Sequence, residues 1–189
     1  MPSHRCSSLF LVLWISSGAS VLSFTPSDPT PCRSFTRLFA IKVTMRMVGK
    51  RKAENWLEEG CDMYASRLRS AGIDWETVMH KSDEALTQGV EGDLSKGHAV
   101  VLLDPFGKQY KNSDELASSV YDWFEVGGSR LSLVIGGAEG LPSEVKSLVG
   151  ILGLWSLSHL TLPHQLARLV VMEQIYRASE IRKGSSYNK

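Results

Sequence analysis

Two short stretches carry residue types at spacings that chemistry can use. Gly136-Gly137-Ala138-Glu139-Gly140 follows the apolar run Leu131–Ile135, and Leu141-Pro142 closes it. Further on comes Trp155-Ser156-Leu157-Ser158-His159-Leu160-Thr161-Leu162-Pro163-His164. Glycines beyond a strand let a ligand approach the main chain closely; taken alone, such a pair is most often a tight turn. No Gly-Lys-Ser/Thr follows, so the first stretch is not a phosphate-cradling P-loop, and its glycine spacing is not the dinucleotide fingerprint. His159 and His164 flank the second stretch, and each, read alone, is a hydrogen-bonded structural histidine. No Ser/His/Asp or Cys/His nucleophile set stands out, and no Cys/His cluster has metal-ligand spacing. If the two strand ends meet, they would make a cleft lined by backbone groups and small or apolar side chains, where a ligand could bind.

Such a site needs elements that bring both stretches to one sheet edge. Each stretch reads as a buried strand, a turn, and a helix opened by a proline, Pro142 or Pro163, at a position that tolerates a missing N–H. Upstream, Phe39–Val48 is β-branched and apolar and ends at Gly49. In Asn55–Ala71 the residues Trp56, Leu57, Cys61, Tyr64, Ala65 and Leu68 fall at helical spacing, and Gly72 stops the helix. Asp74–Met79 reads as a strand. Ser82–Gly97 is polar and glycine-punctuated, with a short helix expected at Asp83–Thr87. His98–Asp104 is a buried strand that Pro105 and Gly107 should stop. Asn112 and Glu115 have capping-box spacing for a helix through Phe124, which Gly127-Gly128 ends. The last helix runs from Pro163 to about Arg182, with Gly184 beyond it. Strands alternating with helices imply an α/β fold: a mostly parallel sheet with helices on both faces and ligands at its carboxyl edge.

The motifs together narrow this further. Leu103-Asp104-Pro105-x-Gly107-Lys108, Ile135-Gly136-Gly137-Ala138-Glu139-Gly140, and Trp155-Ser156-Leu157-Ser158-x-Leu160-Thr161-Leu162-Pro163-His164 stand in that order, followed by Arg168 and Glu173-Gln174-Ile175-Tyr176-Arg177-Ala178. The set, from roughly Phe39 to Lys189, resembles the SPOUT-class pseudouridine-N3 methyltransferases of large-subunit ribosomal RNA. The resemblance implies a trefoil knot near the C-terminus, a homodimer, S-adenosylmethionine as methyl donor, no metal, and ribosomal RNA or the ribosome as partner. It implies that Leu103, Gly136, Gly137 and the stretch Leu157, Ser158, His159, Leu160, Thr161, Leu162 line the donor pocket. His164, Arg168, Tyr176, Arg177 and Tyr187 become candidates for RNA contacts, by charge or by stacking on an unpaired base. No residue is singled out as the base that removes the acceptor's proton. The chain departs from the family pattern in two places. Its tail Ser185-Ser186-Tyr187-Asn188 keeps a tyrosine and lacks the histidines usual there, and Ser82–Gly97 is shorter and less basic. A non-catalytic RNA- or ribosome-binding assembly factor of the same fold is the runner-up reading, and an ordinary doubly wound nucleotide-binding enzyme is the third.

Residues 1–39 read as a targeting presequence, and 40–189 as the methyltransferase domain. Arg5 precedes the apolar run Leu9–Ile15 and small residues follow, the order of a secretory signal too short to span a bilayer. Thr25–Arg37 is rich in Ser, Thr and Pro, with Asp28 its only acid. The two in series resemble the bipartite presequence of algae with complex plastids, which implies a plastid location and no membrane contact in the mature form; a secreted protein is the alternative reading, and the mitochondrion a lesser one. Cys6 and Cys32 lie in this segment, which leaves Cys61 alone and no disulfide framework. The formal charge of the whole chain is +1. Without Arg5, Arg33, Arg37 and Asp28, the 21 bases and 20 acids become 18 and 19, a net of −1. RNA binding would then rest on local patches such as Lys42–Lys52 and Arg168–Lys189 rather than on total charge. The helix from Pro163 carries apolar residues on more than one side: Leu166, Leu169 and Val170, but also Val171, Met172 and Ile175. The surplus suggests a second subunit against it; a helix wholly buried in one chain is the competing reading.

Overall fold

A computed structural model describes residues 40–49 and 54–188. The expected presequence, Phe39, Lys50–Lys52 and Lys189 lie outside the described residues. The elements are β1 (Ile41–Val48), α1 (Asn55–Ser70), β2 (Ile73–His80), α2 (Asp83–Ser95), β3 (Ala99–Lys108), α3 (Ser113–Val126), β4 (Arg130–Ile135), α4 (Ser143–Ser147), β5 (Gly153–Trp155) and α5 (His164–Arg182), with a final 3-10 turn at Ser186–Asn188. The five strands form one sheet in the order β2-β1-β4-β3-β5, every pair parallel.

Alternation along the central strands divides the core in two. Val43, Met45 and Met47 of β1, Val101 of β3 and Leu131 and Leu133 of β4 face α1, α3 and α5, and pack with Leu68, Val120, Val171 and Ile175. Val100 and Leu102 of β3 and Val134 of β4 face the other way, onto Leu86 and Val90 of α2 and Val145 of α4. Strands buried on both faces are expected to be apolar at almost every position, as Ala99–Leu103 of β3 and, Ser132 apart, Leu131–Ile135 of β4 are. Helices therefore cover both faces, as the alternating pattern implied.

Three elements differ from the sequence expectation. The helix after Ser82 does not stop at Thr87 but runs to Ser95, across Gly89 and Gly92. Ser82 caps it, its hydroxyl accepting from the Ala85 N–H at 3.3 Å. Gly89 costs the helix propensity, but it leaves room for two side chains beneath: a Cβ there would lie 2.7 Å from His80 Cε1 and 2.9 Å from Arg46 Nη1, and those side chains would have to shift. Those two side chains belong to a polar network under α2. Arg46 donates to both carboxylate oxygens of buried Asp93 at 2.7 Å, and His98 Nδ1 stands 3.4 Å from the same carboxylate. Next, β3 is not stopped by Pro105 and Gly107. Its pairing with β5 slips after Leu103 and resumes at Lys108, opposite Trp155. Lastly, β5 ends at Trp155, the first residue of the stretch expected to hold the strand, and Ser156–Pro163 is loop. Pro142 and Pro163 sit at the caps of α4 and α5, one residue before the first turn.

Candidate functional site

The carboxyl ends of β3, β4 and β5 meet at a cavity of about 640 Å³. Its walls are Leu103 and Asp104 from β3, Ile135 from β4, Trp155 from β5, the turn Gly136–Leu141, the loop 157–163 apart from His159, and His164 and Ala167 at the start of α5. Lys146 of α4 and, beyond Asp104 on β3, Pro105 and Phe106 complete the lining. The volume lies in the range of small-molecule and cofactor sites.

Each wall has a local cause. The turn after β4 doubles back, with Gly140 N–H donating to the Gly137 carbonyl at 3.1 Å and Gly140 at φ +86°. The returning chain passes so close that a Cβ on Gly136 would lie 2.1 Å from the Gly140 carbonyl oxygen. Gly136 is therefore demanded by the turn itself. Gly137 is different. Its φ is not left-handed, and a Cβ would touch only the Val48 side chain, at 3.5 Å. Nothing in the chain's own packing requires a glycine at 137, and its bareness leaves main chain uncovered in the cavity wall. The loop after β5 is pinned by its serines. Buried Ser156 donates to the Ser158 carbonyl at 3.0 Å, and Ser158 Oγ accepts from the Leu160 N–H at 3.0 Å.

One charged pair is built into the wall. Asp104 is buried, and Lys146 Nζ lies 2.6 Å from its Oδ2. Burial pushes this carboxyl up, but the Lys146 hydrogen bond, the Phe106 N–H and the Lys146 charge outweigh it, so the group stays below its ordinary value, as carboxylate. His164 borders the cavity from α5 and stands near the end of β1, where a Cβ on Gly49 would be 3.7 Å from its Nε2.

Of the residues expected in the donor pocket, Leu103, Gly136, Gly137, Leu157, Ser158, Leu160, Thr161 and Leu162 line the cavity. His159 does not; it is exposed and outside the lining. His164, expected to meet RNA, lines it too. The other RNA candidates lie elsewhere. Arg168 is 4% exposed, and its Nη2 donates to Glu58 Oε1 of α1 at 2.9 Å, so its charge is spent inside the chain rather than on a surface. Tyr176, Arg177 and Tyr187 form one cluster with Tyr64 and Glu173. Arg177 Nη2 and the Tyr187 hydroxyl both donate to Glu173 Oε1, at 2.6 and 3.2 Å, and the Tyr176 and Tyr187 rings meet edge to face at 5.0 Å. Burial, then Tyr64 and Glu173, push the Tyr187 phenol far above its ordinary value, and it stays protonated. The tail is thus folded back on α1 and α5 of its own chain. Sequence reasoning passed over Asp104, Phe106, Glu139, Lys146 and Trp155 as lining residues. All but Lys146 stood inside quoted motifs; Lys146 carried no signal, because its partner is distant in sequence. Cys61, expected as a buried apolar residue, is buried with its thiol pushed up by burial. No group of three or more His, Cys, Asp or Glu suited to a metal occurs among the described residues.

A parallel sheet with helices on both faces and a main-chain-walled cavity at its carboxyl edge defines an α/β ligand-binding protein. Residues 41–188 match the family described as "Predicted SPOUT methyltransferase", and the chain belongs to that family. It is 41% identical over 149 residues to the ribosomal RNA large subunit methyltransferase H of Protochlamydia amoebophila, covering 79% of this chain and 99% of that one. The proteins of the same name from Heliobacterium modesticaldum and Streptococcus suis are each 36% identical, over 75% and 79% of this chain and 95% and 100% of theirs. The methyl donor of the family is S-adenosylmethionine, and the cavity fits it. Leu103, Ile135, Leu157 and Leu162 offer an apolar slot for adenine, the bare main chain at Gly137 offers hydrogen bonds, and Glu139 offers negative charge to a cationic ligand.

Proposed function

We propose that this chain methylates N3 of a pseudouridine in large-subunit ribosomal RNA. The observation that carries the reading is the cavity itself, walled by the residues of the three motifs in one continuous chain segment from Leu103 to Ala167. The family and the names of the relatives support the RNA substrate. S-adenosylmethionine supplies an electrophilic methyl group on a sulfonium. The acceptor N3 gives its lone pair to that carbon, the carbon–sulfur bond breaks toward sulfur, and the N3 proton leaves to solvent or to a base. The protein's part is to hold both reactants in line, a large term by itself. The Gly136–Leu141 turn and the 157–163 loop grip the donor; the Lys146–Asp104 pair fixes a carboxylate beside it. Incubating the protein with labelled S-adenosylmethionine and ribosomal large subunits that lack the modification should place label on a single pseudouridine, mapped by mass spectrometry. RNA binding without any methyl transfer would establish the non-catalytic assembly factor instead.

The reading extends to assembly, topology and location. The active form is a homodimer through α1 and α5. Support comes from Leu166 and Val170 of α5, half-buried and outside both core clusters, and from Trp56 and Met63 of α1, 56% and 44% exposed. Val171 and Met172, part of the apolar surplus that suggested a second subunit, are 0% and 2% exposed within one chain and belong to its core. The trefoil knot is part of the same reading, and tracing residues 130–182 in a crystal structure checks it. Residues before about 40 are a presequence that directs the chain to a plastid. A fluorescent reporter carrying Met1–Ala40 in an alga with complex plastids should light the plastid, whereas label in the cytosol or medium would refute this.

A further inference from the structure

We propose that Phe106 is the platform on which the base to be methylated stacks, a role that rests on the RNA methyltransferase reading above. Phe106 is 95% exposed, the most open of the large apolar side chains among the described residues, and it lines the donor cavity. An exposed ring on a loose loop would mean little, but this one is held. Its N–H donates to Oδ1 of buried Asp104 at 2.9 Å, and Oδ2 of the same carboxylate is clamped by Lys146 at 2.6 Å. On the other side, Gly107 lies so close to β5 that a Cβ would be 2.6 Å from the Leu154 carbonyl carbon. This end of β3 is therefore held on one side through Asp104 and Lys146 of α4 and on the other against β5, and it leaves the Phe106 ring exposed at the rim of the cavity.

The aromatic and cationic residues nearer the tail do not offer this. Tyr176 is packed between Tyr64 and Tyr187, at 6.1 and 5.0 Å between ring centres, and Arg168 is buried against Glu58. The chemistry requires a planar acceptor whose N3 edge points at the methyl carbon. Stacking fixes the plane of an unpaired base and leaves all its edges free, and single-stranded RNA is recognised this way. Leu160, 74% exposed on the loop after β5 and also in the cavity lining, adds apolar surface to the same rim. The ligand class is thus an unpaired pyrimidine-type base in an RNA loop.

The test uses the mature protein with ribosomal large subunits lacking the modification, and compares wild type, Phe106→Ala and Phe106→Trp. Phe106→Ala should lower kcat/KM for the RNA by about tenfold, the scale of one lost base–aromatic stack. Donor affinity in calorimetry and molecular mass in light scattering should stay at wild-type values, and Phe106→Trp should restore activity. Undiminished methylation by Phe106→Ala overturns the inference and leaves the functional reading standing. Equal loss of donor affinity makes Phe106 a wall of the donor pocket, and a change of mass makes it a subunit contact; either overturns the inference. Wild-type protein that methylates no RNA overturns the functional reading, and this inference with it.

Discussion

At the scale of single residues, the two adjacent glycines after β4 do different things. Gly136 is bare because the chain passes over it; Gly137 is bare without any packing reason inside the chain. Gly136→Ala should therefore cost about 1–3 kcal/mol or more in unfolding free energy, as overpacking does, read by urea denaturation. Gly137→Val should keep the melting temperature and lose donor affinity by about tenfold or more in calorimetry, the scale of the same overpacking energy. Unchanged donor affinity with the fold intact would remove Gly137 from the site. From the sequence the pair was legible as a strand-end turn, and the family resemblance supplied its ligand. The division of labour was not legible, because it depends on where the Gly140 carbonyl comes to rest. Nor were the inward turns of Arg168 and Tyr187: a cation and a phenol near a basic tail look free until Glu58 and Glu173 are seen beside them.

At the scale of elements, periodicity was enough for α1, α3, β4 and the first half of β3, whose apolar residues repeat at the spacing their environment demands. It failed for α2, where Gly89 and Gly92 break the pattern; Gly89 lies over the Arg46–His80 contact beneath the helix, whereas Gly92 has open space beside it. Gly89→Ala should thus destabilise the protein in thermal melts, even though alanine is the better helix former by about 1 kcal/mol. It failed also for β5, three residues long and too short for any pattern. The network under α2 makes a further prediction. Burial pushes the Asp93 carboxyl up, but the hydrogen bonds from Arg46, with the charges of Arg46 and His98, bring it below its ordinary value. Its contribution to stability is then complete above about pH 4, the unfolded value, and is lost as pH falls through the lower folded value. His80, held down by burial and then by the Arg46 charge, begins its own loss higher, as pH drops below about 6.5. Asp93→Ala should cost about 3–5 kcal/mol at neutral pH, since it leaves Arg46 unpaired under the helix. Asp93→Asn should flatten the decline of stability below pH 4, measured by denaturant melts across the acid range. A decline as steep as that of the wild type would assign the acid sensitivity elsewhere.

At the scale of the whole molecule, the composition and the alternation of elements gave the class of fold, and the order of strands came only with the structure. Subunit assembly divides in the same way: the apolar surplus on α5 was visible in sequence, but not which part of it the chain keeps for itself. Leu166→Asp with Val170→Asp should yield a folded monomer with little methyltransferase activity, whereas Val171→Asp should unfold the chain. Light scattering and circular dichroism separate the two outcomes, and a fully active monomer would refute the dimer. The strand order has a consequence for how the protein is made. β1 pairs with β2 soon after both leave the ribosome, but its other edge is completed only by β4, through Lys42 opposite Arg130. The middle of the finished sheet is therefore an open border for most of synthesis, with Val43, Met45 and Met47 along it. Pairings that distant in sequence form slowly, and an unpaired apolar strand edge is an aggregation hazard while it waits. Nascent chains cut before Arg130 should depend on chaperones for solubility, while chains released beyond Arg182 should not.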